Sequence, residues 1–227
     1  MSFVLPSESE YSVIRKIGSG ASGTVYLIQN DEGNKYALKV FKDENDEAIQ
    51  KEIECLERVN EICGDEIYCY KEVMYITYNG TERKAIVMEY LEGYTELFKY
   101  ITHRTTMTQL EEIRDKTIKG FIKLAEHGIA HNDPNSTNIL VKMLPDGTQS
   151  VKIIDFGKCS TRDNDNDIEE TMRSLVLTFA LTLFDMMDYE TEFLPFFAPF
   201  YDVLPSYGID QFDLDDILSI RNLTDSY

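Results

Sequence analysis

The sequence predicts an α+β chain in which an antiparallel sheet carrying one helix comes first and a mainly helical part follows. Two observations support this class. In the first ninety residues, short apolar runs alternate with turns rich in Gly, Asn and Asp, and one segment has helical periodicity. Beyond them, long amphipathic segments dominate. We therefore expect a single domain over residues 1–227 with two lobes, 1–91 and 92–227.

The first lobe is predicted element by element. Three strands open it, and two more lie on either side of NGTE, which is a hairpin signal. The predicted strands are YSVIRKIGSG, TVYLIQ, KYALKVF, IYCYKEVMYITY and RKAIVMEYL. Between the third and fourth, DENDEAIQKEIECLERVNEI is predicted to be a helix because its apolar residues share one face: Ile49, Ile53, Leu56 and Val59.

The second lobe begins with a long predicted helix, TQLEEIRDKTIKGFIKLAEHG. Thr108 and Glu111 have the spacing of a capping box at its start, and Gly128 is placed to end it. Two strands follow, NILVKML and SVKIID, joined through PDGTQ.

The rest of the second lobe is predicted to be an acidic loop and then helices. STRDNDNDIEE is the loop, and DIEETMRSLVLTFALTLF is a buried helix. FLPFFAPFYDVLP is too rich in proline to predict regular structure.

Charge and composition exclude some functions. The net charge of −19 argues against general binding to nucleic acid or to anionic membranes, which are bound through Lys and Arg clusters. It is compatible with a basic protein partner and with simple solubility. The four cysteines form no C-x-x-C pair, which predicts reduced thiols. The N-terminus resembles no signal peptide, and LVLTFALTLF is too short to span a bilayer. These features predict a cytoplasmic protein.

The segment GSGASGTVY contains the pattern G-x-G-x-x-G-x-V, formed by Gly18, Gly20, Gly23 and Val25. A dinucleotide-binding version of this pattern would open a helix, whereas this one opens a strand. That placement favours a glycine-rich hairpin over nucleotide phosphates, because backbone N–H groups can approach an anion where side chains are missing.

A cation and an acid follow the glycine-rich segment. Lys39 lies on the third strand, where an ammonium group can bridge phosphate oxygens if an acid holds it. Glu52 shares the inward face of the helix, while Glu54 and Glu57 point away from it. Glu52 is therefore the predicted partner.

Two polar segments lie at the ends of predicted elements in the second lobe. IAHNDPNSTNILV places Asp133 two residues after His131, and Asn138 five residues beyond Asp133. KIIDFGK places Asp155 at the end of an apolar strand, where a carboxylate can hold Mg²⁺.

Taken in order, these motifs resemble the signature of the protein kinase superfamily. The resemblance covers about residues 11–160. It implies that Asp133 accepts the proton of the attacking hydroxyl, and that Asn138 and Asp155 hold the metal ions. Lys39 would grip the α- and β-phosphates while paired with Glu52. His131 would be a packed structural residue in contact with Phe156.

The resemblance also implies an adenine and ribose site. Met88 would be the gatekeeper of a hinge, the Glu89 and Leu91 backbones would face adenine, and Glu96 would bind ribose or remain a solvated acid. The adenine ring would be sandwiched by the side chains of Val25, Ala37 and Leu140.

The sequence departs from the family pattern at several places. Asn132 replaces an Arg that receives a phosphorylated activation loop, and Asn135 replaces a Lys that neutralises the transferring phosphoryl group. No A-P-E motif follows Asp155, and only about ten residues separate the DFG motif from the next helix. We therefore expect a reduced large lobe, similar to compact kinases of bacterial effectors and large DNA viruses.

The predicted function is a phosphotransferase that uses ATP with Mg²⁺ or Mn²⁺. A serine/threonine protein kinase is the first reading, with a protein substrate that is a basic protein or a host protein. If the chain is an effector or a viral protein, it would act in the host cytoplasm. A small-molecule kinase of the choline or aminoglycoside type, and a nucleotide-binding pseudokinase scaffold acting through a protein interface, are the alternatives.

Overall fold

The chain divides into two compact units. The first comprises Met1–Gly64 and Tyr68–Gly93, and the second comprises Asp65–Ile67 and Tyr94–Tyr227. The structure is a computed structural model that describes residues 3–20, 22–42, 46–78, 80–161, 165–183 and 194–209.

The first unit is an antiparallel six-stranded sheet with one helix, which confirms the predicted fold class for this part. Its strands are β1 (Phe3–Val4), β2 (Tyr11–Ser19), β3 (Gly23–Asn30), β4 (Lys35–Phe41), β5 (Tyr70–Tyr78) and β6 (Thr81–Glu89). In the sheet these strands are ordered β1-β5-β6-β4-β3-β2. Helix α1 (Asp46–Asn60) connects β4 to β5. The five predicted strands are present, whereas the two-residue strand β1 was not predicted.

Helix α1 buries the face that its periodicity predicts. Ile49, Ile53, Leu56 and Val59 all lie in the core, with exposed fractions of 7%, 4%, 0% and 0%. Burial of this stripe, rather than helix propensity, is what fixes the helix on the sheet.

The prediction of reduced cysteines is wrong, because none of the four cysteines, all of which lie in the described part of the chain, is a free thiol. Cys63 and Cys69 form a disulfide, and their Cα atoms are 5.2 Å apart. This distance lies within the range that a disulfide requires. The turn between α1 and β5 brings the two residues together, although their spacing in the sequence matches no familiar cysteine motif.

The second unit is mainly helical and contains a three-stranded sheet. Its strands are β7 (Thr95–Glu96), β8 (Ile139–Met143) and β9 (Gln149–Ile153), and they are ordered β7-β8-β9. Its helices are α2 (Leu97–Tyr100), α3 (Met107–Glu126), α4 (Asp165–Leu183) and α5 (Leu194–Val203), followed by a 3-10 helix (Leu204–Tyr207).

Helix α3 begins one residue earlier than predicted. Thr106 is its N-cap, and the capping box is formed with Gln109. The Gln109 backbone N–H donates to the Thr106 hydroxyl at 3.3 Å, and the Thr106 N–H donates to the Gln109 side chain at 2.9 Å. The predicted box of Thr108 and Glu111 is therefore wrong. Both pairs have the same spacing, and the one nearer the preceding turn caps the helix.

Gly128 terminates α3, as predicted, and lies two residues after its last helical residue, Glu126. Gly128 has a positive φ of 65°. Its N–H donates to the carbonyl of Ala125 at 2.9 Å, and the N–H of Ile129 donates to that of Leu124 at 3.0 Å. This is the Schellman arrangement, which favours glycine at the left-handed position.

A glycine inside α3 permits close packing in the second unit. A Cβ atom on Gly120 would lie 2.6 Å from Ile153 Cδ1 and 3.0 Å from Glu66 Cβ. Glu66 belongs to the short segment 65–67. Its backbone carbonyl accepts a hydrogen bond from the Ile153 N–H at 2.8 Å. Gly120 therefore allows this segment and β9 to lie against the helix.

Two predictions about the second half of this unit are wrong in part. Helix α4 begins at Asp165, so the end of the segment predicted as an acidic loop is helical. FLPFFAPFYDVLP contains helix α5. Pro195 lies in the first turn, where a missing N–H costs little, and Pro199 is the one proline inside the helix.

Buried aromatic packing explains why α5 forms despite its prolines. Phe196, Phe197 and Phe200 are no more than 2% exposed. The ring centroids of Phe197 and Phe200 are 5.6 Å apart and stacked. On α3, the buried guanidinium of Arg114 donates to the Phe196 carbonyl at 2.7 Å and lies 4.9 Å from the centre of its ring.

We expect Phe197→Ala to lower the free energy of unfolding by about 3–5 kcal/mol, because it removes a fully buried ring and leaves a cavity. The matched control is Phe98→Ala on α2, where the ring is 46% exposed and a change within about 0.5 kcal/mol is expected. Urea unfolding of both variants measures the difference. Equal effects would show that the α5 aromatics do not hold the second unit together.

Candidate active site

The glycine-rich segment of the first unit forms the β2–β3 hairpin. Gly18 pairs with Val25, and the Gly20 N–H donates to the Gly23 carbonyl at 2.9 Å. A Cβ on Gly23 would lie 2.8 Å from the Val40 carbonyl oxygen, so packing against β4 requires glycine there. A Cβ on Gly20 would meet no heavy atom of the described residues within 4 Å. A side chain at this position would therefore project into space that the described residues leave open.

The structure brings together the predicted cation and acid. Lys39 on β4 and Glu52 on α1 are joined at 2.6 Å between Nζ and Oε1. Both residues are buried, with exposed fractions of 7% and 4%. A buried ammonium needs such a partner, because the low-dielectric interior penalises an unpaired charge. Phe41 adds a ring whose centre lies 5.3 Å from Nζ.

The predicted hinge residues follow the same sheet. Met88 on β6 lies opposite Ala37 on β4. Glu89 ends β6, and its N–H donates to the Cys69 carbonyl at 3.0 Å, while its carboxylate accepts from the Cys69 N–H at 3.1 Å. Leu91 follows β6 and is partly buried. The start of the hinge is thus braced by a residue of the Cys63–Cys69 disulfide.

In the second unit, His131 is fully buried and organises the loop that carries Asp133. Its Nε2 bonds the Ile154 carbonyl at 2.9 Å, and the Asp133 N–H donates to its Nδ1 at 3.2 Å. The ring packs against Phe156, with centroids 4.9 Å apart, as the sequence predicts. Burial lowers the pKa of His131, which favours the neutral ring. Because Nδ1 accepts, the proton is on Nε2.

Asp133 and Asn138 are held together by the loop. The Asn138 side-chain amide donates to the Asp133 carbonyl at 2.9 Å and to its carboxylate at 3.3 Å. The amide oxygen of Asn138 therefore faces away from Asp133. The Ile154 N–H donates to the Asn138 carbonyl at 2.9 Å, which ties this loop to the residue before Asp155.

Asp155 adopts a left-handed conformation, with φ of 63°. Such a backbone is uncommon for a residue with a side chain and is found most often at functional sites. Its carboxylate accepts the Gly157 N–H at 3.4 Å. An amide oxygen and a carboxylate fit Mg²⁺, which takes few protein ligands beside those of a phosphate substrate.

The two residues that depart from the family pattern have local structural roles. Asn135 accepts the N–H groups of Thr137 at 2.9 Å and Asn138 at 3.2 Å, so it closes the turn after Asp133. Asn132 has a φ of 59° and donates to the Lys158 carbonyl and the Ser160 hydroxyl, each at 3.1 Å.

Sequence reasoning missed Lys158, which follows the DFG motif. Its ammonium lies 3.1 Å from the Asp133 carboxylate. The only signal in the sequence is a lysine directly after Gly157, and no pattern relates that position to Asp133.

Glu96 and Leu140 lie on neighbouring strands of the small sheet. Glu96 on β7 pairs with Leu140 on β8. The Glu96 carboxylate forms an ion pair with Lys99, one turn along α2. This ion pair does not decide between the two interpretations of Glu96, and the ribose-binding role stays a prediction.

These observations define the class of the protein. These parts are typical of a phosphotransfer enzyme of the protein kinase type: a glycine-rich hairpin, a buried lysine–glutamate pair on β4 and α1, and a loop with Asp133 and Asn138 tied to the left-handed aspartate of the DFG motif. A family model described as the protein kinase domain matches residues 11–180. The chain belongs to the protein kinase domain family.

Curated relatives carry the same domain. The chain is 28% identical over 167 residues to the serine/threonine-protein kinase CLA4 of Candida albicans, covering 71% of this chain and 16% of the relative. It is 31% identical over 160 residues to shk1/pak1 of Schizosaccharomyces pombe, covering 69% and 23%. It is 32% identical over 167 residues to CST20 of Candida albicans, covering 71% and 13%. The chain thus spans less than a quarter of the length of these relatives.

Among the helices that the structure describes, none combines the length and the apolar character needed to cross a bilayer.

We expect Glu52→Ala to lower the free energy of unfolding by about 3–5 kcal/mol, because it leaves the Lys39 ammonium buried without this partner. The matched control is Glu47→Ala on the same helix, where an exposed Glu47–Lys51 pair is lost and no measurable change is expected. Chemical unfolding of both variants tests this. A loss no larger than that of the control would mean that the pair contributes nothing to stability.

Proposed function

We propose that the chain is a serine/threonine protein kinase that uses ATP with Mg²⁺ or Mn²⁺, with Asp133 as the base. The observation that carries this proposal is the setting of Asp133. Its backbone is fixed by His131, and its carboxylate accepts from Asn138 and Lys158. Such fixed donors hold a carboxylate in one orientation, as a base that aligns a hydroxyl requires.

Residues of the first unit supply phosphate and adenine contacts in this proposal. The hairpin of Gly18, Gly20 and Gly23 presents backbone N–H groups to phosphates, and Lys39 donates to phosphate oxygens while Glu52 holds it. Val25, Ala37 and Met88 offer apolar surface, and Glu89 and Leu91 offer backbone groups to adenine.

In the second unit, Asp133 aligns the acceptor hydroxyl and takes its proton as the oxygen attacks phosphorus. Asn138 and Asp155 would hold the metal ion, which neutralises charge on the phosphates when bound. Leu140 adds an apolar contact to adenine, and Glu96 is the candidate for the ribose hydroxyls once it exchanges Lys99 for them.

Protein hydroxyls are the proposed acceptor. The relatives are named serine/threonine-protein kinases, which supports a protein substrate over a small molecule. The net charge of −19 favours an acceptor with a basic surface. A scaffold that acts through its aromatic segment is less well supported, because Phe196, Phe197 and Phe200 are buried.

The experiment that tests the proposal is transfer of labelled γ-phosphate from ATP and Mg²⁺ in a eukaryotic lysate, with Asp133→Ala beside the unchanged chain. We expect labelled protein bands that disappear in the variant, because the base is lost while the fold remains. Label confined to small molecules would move the assignment to a metabolite kinase. If ATP binds but no Asp133-dependent label appears in any fraction, the enzyme assignment is wrong.

The glycine-rich hairpin gives a second prediction. Gly20→Ala is expected to lower ATP affinity with little change in stability, because the new Cβ meets only the space that a phosphate would occupy. Gly23→Ala is expected to lower stability as well, because its Cβ would collide with the Val40 carbonyl. Calorimetric titration with ATP and thermal unfolding separate the two effects. Unchanged ATP affinity in Gly20→Ala would exclude the hairpin from nucleotide binding.

A further inference from the structure

Lys158 lies where a cation can act on the group that Asp133 helps to transfer. Its Nζ is 3.1 Å from Asp133 Oδ2, a separation at which the ammonium and the carboxylate form an ion pair. The side chain is 67% exposed and that of Asp133 is 28% exposed. An ion pair this exposed contributes little to stability, so its geometry calls for another explanation.

The backbone from Lys158 to Ser160 is fixed by hydrogen bonds, although the Lys158 side chain is exposed. Its carbonyl accepts from the Asn132 amide at 3.1 Å. Two residues later, the N–H and carbonyl of Ser160 exchange hydrogen bonds with Ala130, each at 2.9 Å. The Ser160 hydroxyl donates to Asp167 at 2.6 Å, which joins this segment to the first turns of α4.

Asn132 is the centre of this arrangement. Its N–H donates to the Thr171 hydroxyl at 3.1 Å, and its side-chain oxygen accepts from that hydroxyl at 3.3 Å. The side-chain amide of Asn132 therefore connects the loop that carries Asp133 to the segment after the DFG motif and to α4. This connection needs no phosphorylated side chain, because every member is a neutral donor or acceptor already in contact.

We propose that Lys158 is a catalytic residue that donates to the transferring phosphoryl group and stabilises its charge. This inference rests on the proposed function. A hydroxyl bound to Asp133 lies about 3–3.5 Å from the phosphorus that it attacks. An ammonium beside the same carboxylate is then within reach of a phosphoryl oxygen, since lysine has three donors on a flexible stem.

The chemical step conserves its atoms and charges. The acceptor oxygen forms a bond to the γ-phosphorus as the bond from that phosphorus to the bridging oxygen of ADP breaks. The hydroxyl proton passes to Asp133, and ADP leaves with the electron pair of the broken bond. Lys158 stays protonated throughout and contributes electrostatic stabilisation.

Asn135 offers a position from which a second cation can be tested. Its N–H donates to the Asp133 carbonyl at 2.8 Å, so it lies on the same turn as the base. A lysine introduced there can reach the group that Asp133 serves. If charge at this place is what Lys158 provides, Asn135→Lys should compensate for its loss.

The test compares Lys158→Met, Lys158→Arg and the double variant Lys158→Met/Asn135→Lys, using the protein substrate found in the lysate experiment. Lys158→Met is expected to lower kcat about 10²-fold and to raise the KM for ATP by a smaller factor, because the ammonium contacts the γ-phosphate in the bound state and more strongly during transfer. Arginine should retain most of the rate, and Asn135→Lys should restore at least tenfold. Lys51→Met is the control, because the Lys51 side chain is as exposed as that of Lys158, at 68% against 67%, and forms an ion pair with Glu47 in the first unit.

Calorimetric binding gives a readout that does not depend on turnover. Lys158→Met should weaken binding of a non-hydrolysable ATP analogue several-fold more than binding of ADP, since only the former carries the γ-phosphate. A kcat equal to that of Lys51→Met would overturn the inference. So would a loss that Asn135→Lys does not relieve and that leaves the analogue-to-ADP ratio unchanged. If the unchanged chain shows no Asp133-dependent transfer, the proposed function itself is wrong.

Discussion

Two backbone hydrogen bonds of Ile154 are the constraint on which the second unit depends. The Ile154 N–H donates to the Asn138 carbonyl, and its carbonyl accepts from His131 Nε2, each at 2.9 Å. The backbone of one residue thus ties the loop of the proposed base to Asp155, which follows it in the sequence. Because the neutral His131 is fully buried, water cannot replace its bond to Ile154 without cost. These two bonds fix Asp133, Asn138 and Asp155 relative to one another.

The departures from the family pattern belong to the same network. Where relatives of this family use charged side chains, Asn132 and Asn135 are short amides that close turns and bridge segments. A short amide makes specific contacts with neighbouring backbone but carries no charge. In our proposal the charge is supplied by Lys158, which belongs to another segment and forms an ion pair with Asp133. Asn132 and Asn135 then hold the loop, while a different residue neutralises the charge on the phosphoryl group.

Much of the fold follows from patterns that are local in sequence. The inward stripe of α1 placed Glu52 against Lys39, because helical and strand periodicities together decide which side chains face each other. The end of α3 at Gly128 follows from backbone geometry. The start of α3 could not be predicted from local pattern. The pairs Thr106–Gln109 and Thr108–Glu111 have equal spacing, and the preceding turn decides which of them caps the helix.

Other features depend on contacts that are distant in sequence. Helix α5 forms because three phenylalanines are buried, which outweighs the two prolines that argued against it. The Cys63–Cys69 disulfide depends on how the chain turns after α1. Lys158 reaches Asp133 from a segment whose backbone is bonded by Asn132, and that contact depends on the direction of a long side chain. Residue spacing carries no information about such a direction.

The disulfide has a practical consequence for anyone who purifies this chain. Cys69 exchanges two hydrogen bonds with Glu89 at the start of the hinge, and its sulfur is bonded to Cys63 beyond the end of α1. A preparation kept in thiol reductant and one kept in air are therefore different covalent species, and they differ next to the proposed adenine contacts. Nucleotide affinities measured in the two buffers describe two molecules, and comparison among variants requires one thiol state throughout.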